Sequence, residues 1–151
     1  MEKRFVADAM LGRLSKWLRV LGYDTDFQAF YEEETVRRSI REGRIFLSRR
    51  ARISEEHLGA IWIRSHHVGE QLRELAEGGI LTPNRTEWFC RCVLCNVLLR
   101  KAADDISMES VPDHVLHHQT WDISWCPVCR RLFWPGTHKE NMIRQLEKWG
   151  F

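Results

Sequence analysis

The chain has 151 residues, a formal net charge of +2, and 44% apolar and 29% charged residues. That length suits one ordinary domain, or a smaller α/β unit with a metal-stabilised appendage. The near-neutral balance says nothing for or against nucleic-acid binding, so any such case must rest on local patches. No apolar run is long enough to span a bilayer and the N-terminus lacks a secretory h-region, so a cytoplasmic protein with no membrane association is expected.

Phe5-Val6-Ala7-Asp8 reads as a short buried strand that delivers a carboxylate at its carboxyl end. A helix follows, with Met10, Leu11, Leu14, Trp17, Leu18 and Leu21 on one face and Arg13, Lys16 and Arg19 opposite, closed by Gly22 at the C′ position. An acid between strand and helix start lies where open α/β sheets place ligands; Asp8 is equally a favoured N-cap. Asp24 to Phe27, which includes Asp26, is a short polar strand. Tyr31 to Glu42 is a helix with Val36 and Ile40 inward, and Glu32, Glu33 and Glu34 crowd the end where the helix dipole favours anions.

Arg44 to Ser48 has the short apolar character of a buried parallel strand, and Ala60 to Arg64 is its expected neighbour. A helical turn with Glu55, Glu56 and His57 lies between them. Val68 to Glu77 is a helix ended by Gly78-Gly79, and Leu81 to Arg85 is a linker. Strands and helices alternating at this spacing imply βαβ units and a parallel sheet.

Beyond the linker stand Cys92-Val93-Leu94-Cys95 and Cys126-Pro127-Val128-Cys129. Each pair has knuckle spacing, which lets two thiolates from one tight turn reach a tetrahedral ion. In a reducing cytosol this favours structural zinc held by Cys92, Cys95, Cys126 and Cys129 over disulfides. Cys90 is then spare, and His114, His117 and His118 are possible substitute ligands. Pro112 to His117 reads as a short surface helix. Thr137 to Trp149 is an amphipathic helix with Thr137 and Glu140 as a capping box, which places His138 in a first turn that attracts anions.

The stretch Phe5 to Thr25 (FVADAMLGRLSKWLRVLGYDT), Glu42 to Arg49, the two cysteine pairs and Phe133 to His138 together resemble the Mut-seven C-terminal RNase domain family, a branch of the PIN-like nucleases. The resemblance implies a PIN-like α/β domain over residues 1–88, followed by a zinc ribbon and C-terminal helix over residues 89–151. It also implies a metal-dependent ribonuclease site, whose acids would gather at the carboxyl ends of the strands around Mg²⁺ or Mn²⁺. Asp8 matches the first acid and Glu33 or Glu34 the second. The third and fourth depart: Arg50 stands where the family pattern resembling Leu-Thr-Arg-Asp-Arg has aspartate, and Arg64-Ser65-His66-His67 where it often has Arg-Ser-Asp-Asp.

An arginine cannot ligate a cation, and its charge opposes one nearby. Two readings stay open. In one, Asp8 with Asp26 or a helix glutamate and with His66 or His67 forms a rebuilt site for one softer ion such as Mn²⁺. In the other, catalysis is lost and Arg49, Arg50, Arg52 and Arg64 turn the cleft into an RNA-binding surface, which Arg13, Lys16 and His138 extend. Asp8 then serves as an anchor for Arg50. A third, from another class, is a protein-interaction module of a ribonucleoprotein or a toxin–antitoxin-like complex.

Overall fold

The computed structural model describes residues 2–102, 113 and 122–151. His114, His117, His118 and the helix expected over residues 112–117, Asp113 excepted, lie outside the described residues. The chain forms two compact units, Met1–Asn96 and Val97–Phe151.

The first unit is built on β1 (Arg4–Ala7), α1 (Gly12–Val20), β2 (Thr25–Phe27), α2 (Glu33–Arg41), β3 (Arg44–Ser48), α3 (Ala51–Glu56), β4 (Ala60–Trp62) and α4 (Val68–Glu77). The four strands run parallel in the order β2-β1-β3-β4, with Phe5 level with Thr25 and Ile45, and Phe46 level with Ala60. Successive side chains on a strand point to opposite faces. Val6 and Phe46 therefore share one face, where they pack with Val36 of α2 and Ile53 of α3. α1 and α4 pack on each other through a layer that includes the fully buried Leu14, Leu18, Leu72 and Leu75.

The strand order reverses direction between β1 and β3, because the chain leaves β1 toward β2 and returns past it to β3. Crevices for ligands open at such switch points, outside the carboxyl ends of the strands. Asp8 and Ser48 stand at that point.

Helix α1 ends as its glycine predicts. Gly22, at φ 97°, donates to Arg19 O at 3.0 Å, and Tyr23 N donates to Leu18 O at 3.0 Å, a Schellman closure. Two α1 expectations fail. Met10 is 64% exposed, because residues Ala9–Leu11 form a 3₁₀ turn that shifts its phase off the helical face. Arg19 is buried, not solvated: Nε donates to Thr25 O at 2.8 Å, and Nη1 donates to Val93 O at 2.8 Å and Leu94 O at 3.1 Å. The carbonyls replace the water that the guanidinium gives up, which is what burying a charge requires.

Asp24 is tied beside it. Its carboxylate accepts from Arg44 Nη1 at 2.9 Å, Arg44 Nη2 at 3.2 Å and Asn96 Nδ2 at 2.7 Å. Burial by itself raises the Asp24 carboxyl, but the hydrogen bonds from Arg44 and Asn96 outweigh it and hold the group below its ordinary value.

The second unit has an antiparallel sheet in the order β5 (Arg100–Lys101), β6 (Ser124–Trp125) and β7 (Leu132–Phe133), over a small core of Ala102, Ile123, Trp125 and Leu132. Helix α5 (Thr137–Lys148) follows. Thr137 is not its cap: Gly136 occupies the N-cap in extended backbone, no side chain caps the end, and Gly136 O accepts from Glu140 N at 3.0 Å.

A depressed carboxyl pKa contributes stability above the unfolded value, near 4, that is lost as pH falls through the folded value. Asp24→Asn should therefore cost about 1–3 kcal/mol at pH 7 and much less near pH 2, measured by urea unfolding at the two pH values.

Candidate functional site

Asp8 lies one residue past β1 and is 5% exposed. Its Oδ1 accepts from Met10 N at 3.0 Å, which makes it the N-cap of the 3₁₀ turn, and its Oδ2 accepts from Ser48 Oγ at 2.5 Å. Ser48 Oγ in turn accepts from Arg50 N at 3.0 Å, and Asp8 N donates to Leu47 O at 3.1 Å. The carboxyl ends of β1 and β3 are thus fastened by the hydrogen bond from Ser48 to Asp8. Ser48 is the partner that sequence reasoning missed; the signal was a hydroxyl ending the strand beside the one that ends in the acid.

The other expected acids are held elsewhere. Asp26 is 54% exposed, 3.4 Å from Arg44 Nη2, and accepts from Asn96 Nδ2 at 3.1 Å. Glu34 pairs with Arg41 at 2.7 Å on the outer face of α2. Glu33 accepts from Tyr31 Oη at 2.6 Å and Arg37 Nε at 3.1 Å, and lies 2.9 Å from His57 Nε2. The Tyr31 hydroxyl, more than any other neighbour, holds the Glu33 carboxyl below its ordinary value.

Among the described residues, two groups of three or more His, Cys, Asp or Glu side chains bring donor atoms within 4.8 Å of one another: the four paired cysteines, and Glu33 with Glu56 and His57. Asp8 belongs to neither. The residues at Asp8 therefore do not fit a two-metal centre, which needs several converging oxygen ligands.

The loop after β4 is organised by hydrogen bonds from its own backbone and from Arg49. Glu74 accepts from Arg64 N at 3.0 Å, Ser65 N at 3.1 Å and Ser65 Oγ at 2.9 Å. Burial opposes ionisation of Glu74, and these donors override it, so its carboxyl sits low. Arg49 crosses from the end of β3, donating to Arg64 O at 2.7 Å and to Ser65 O, with its Nη2 3.0 Å from His66 Nδ1. His66 and His67 are exposed.

Arg50 does not pair with Asp8, which makes no ion pair among the described residues. Its guanidinium lies 4.9 Å from the centre of the Tyr31 ring, and Arg64 lies 5.1 Å from the centre of the Trp62 ring. Exposed apolar side chains lie at the end of β2 and in the loop after it: Phe27 is 43% and Phe30 81% exposed. Arg52 pairs with Glu56 at 2.5 Å. Arg13 and Lys16 are exposed on α1, and His138 is exposed in the first turn of α5.

The cysteines form two turns of the same design. Cys95 N lies 3.4 Å from Cys92 Sγ and Asn96 N 2.9 Å from Cys92 O; Cys129 N lies 3.5 Å from Cys126 Sγ and Arg130 N 2.9 Å from Cys126 O. Asn96 and Arg130 close the turns in left-handed backbone, at φ 60° and 66°. Both sulfurs that receive an amide belong to buried residues, and none of the five cysteines is in a disulfide. Four thiol sulfurs within 4.8 Å of one another fit a tetrahedral ion with bonds of about 2.3 Å, the donor set of structural zinc. Cys90 is outside this group, and burial pushes its thiol up.

A parallel sheet flanked by helices, with an acid at its switch point, joined in one sequence to four cysteines placed to hold a metal ion, defines an α/β protein with a candidate metal centre. A protein-family model described as the Mut7-C RNAse domain matches residues 3–146, and the chain belongs to that family. No curated protein and no solved structure matches the chain.

With four sulfurs available, the purified chain should hold one zinc ion, measured by elemental analysis. Cys126→Ser should lose it, and chelation should lower the melting temperature, because metal binding here is coupled to folding.

Proposed function

We propose that this chain binds RNA at the carboxyl edge of its parallel sheet, through a site of ribonuclease plan that no longer hydrolyses phosphodiesters by two metal ions. The observation that carries this is the pair of arginine–aromatic stacks, Arg50 on Tyr31 and Arg64 on Trp62, flanking the loops that follow β2, β3 and β4. Guanidinium planes and aromatic faces are the surfaces on which single-stranded bases stack, and arginine also makes bidentate contacts to phosphate. The family supports an RNA-related role. By the resemblance, Arg50 and His66 stand where the family pattern has its third and fourth acids, which supports the loss of two-metal hydrolysis.

A second reading keeps hydrolysis, and one observation favours it. Asp8 is enclosed at the switch point with lone pairs beyond the two it uses for Met10 and Ser48. Asp8 could then bind one Mg²⁺ or Mn²⁺ ion, which when bound would activate water; the remaining ligands are not gathered around it.

RNA affinity should fall steeply with salt, and Arg50→Ala and Arg64→Ala should each weaken binding about 3–10-fold and reduce the salt slope by about 1, measured by fluorescence anisotropy. No cleavage should follow addition of Mg²⁺ or Mn²⁺. Metal-dependent cutting that Asp8→Asn abolishes would establish the second reading instead. Absence of RNA binding even at low salt would leave the protein-interaction module.

A further inference from the structure

The group formed by Glu33, Glu56 and His57 belongs to neither the cysteine centre nor the switch point. Glu33 opens α2, while Glu56 ends α3 and His57 is its C-cap, so two helix ends bring one imidazole and two carboxylates together. Their donor atoms all lie within 4.8 Å of one another.

His57 Nε2 is the informative atom. It is fully enclosed and makes no hydrogen bond, although Glu33 Oε1 is 2.9 Å away. Nε2 therefore meets a carboxylate oxygen in ion-pair range without an aligned hydrogen bond, an arrangement that a shared cation would satisfy. On a tetrahedral zinc, bonds of about 2.0–2.1 Å set two ligand atoms about 3.3–3.4 Å apart, so the present 2.9 Å separation has to open by only a few tenths of an ångström.

We infer that Glu33, Glu56 and His57 form a second metal site, which takes a borderline divalent cation such as Zn²⁺. One imidazole with two carboxylates suits such an ion, whereas an all-oxygen set suits Mg²⁺. Two carboxylates match its charge. Arg37 and Arg52 now pair with these acids, but their side chains are 58% and 83% exposed, and exposed pairs contribute little and release readily. Tyr31 donates to Glu33 Oε2, which orients the carboxylate from outside as a supporting group does around a metal ligand.

The test uses the full chain with its cysteine centre already zinc-loaded, titrated with Zn²⁺ alone by calorimetry and followed by ¹⁵N NMR of the imidazoles. One further zinc per chain is expected, with a shift of the His57 Nε2 resonance. His57→Gln and Glu33→Gln should each weaken that second ion at least tenfold, and Asp8→Asn should leave it unchanged. No second ion, an unmoved His57 resonance, or equal affinity in His57→Gln would overturn the inference. RNA binding, measured separately, stands or falls independently of this result.

Discussion

The hydrogen bond from Ser48 Oγ to Asp8 Oδ2 sets the geometry of the candidate site. It joins the two strands between which the sheet reverses direction, in a place where both side chains are nearly fully buried. A buried carboxylate must be satisfied or it shifts the whole balance of the interior. Here one oxygen caps the turn that leads into α1 and the other accepts from Ser48, whose oxygen also receives the amide that starts α3. One acid thereby fixes where the chain enters α1 and how Arg50 leaves β3. An anchor of that kind is useful whether or not the acid meets a metal.

Around the anchor, the side chains at the strand ends are mostly arginines and aromatic rings. Arg49 spans two loops through carbonyl oxygens, Glu74 holds the second loop from beneath, and Arg50 and Arg64 lie on aromatic rings. Each of these contacts gives a cation or a loop amide a partner inside the protein, so the edge is ordered without a bound cation. For the proposed RNA ligand, that order would reduce what association costs in side-chain freedom.

Much of this architecture was legible because the pattern was local. Arg44–Ser48 and Val68–Glu77 were bounded correctly by a short apolar run and by a 3.6-residue period ended with two glycines. The cysteine site was legible because thiolate spacing and coordination geometry are one fact. Arg19 was misjudged because a charge on a periodic helix defaults to solvent. Its partners, the carbonyls of Val93 and Leu94, stand far along the chain in the first knuckle, and nothing local announces them. Met10 was misjudged because a 3₁₀ turn broke the helical phase. Glu56 and His57 were seen as a helical turn, but their meeting with Glu33 depends on two helix ends converging, which periodicity does not encode.

The central claim is that RNA is held at the carboxyl edge of the parallel sheet. The most direct measurement is photo-cross-linking of 4-thiouridine RNA followed by mass spectrometry of the attached peptides. Cross-links concentrated at Phe27, Phe30, Tyr31 and Trp62, and lost on competition with unlabelled RNA, are the predicted result. Cross-links confined to the second unit, with the sheet edge untouched, would contradict the account.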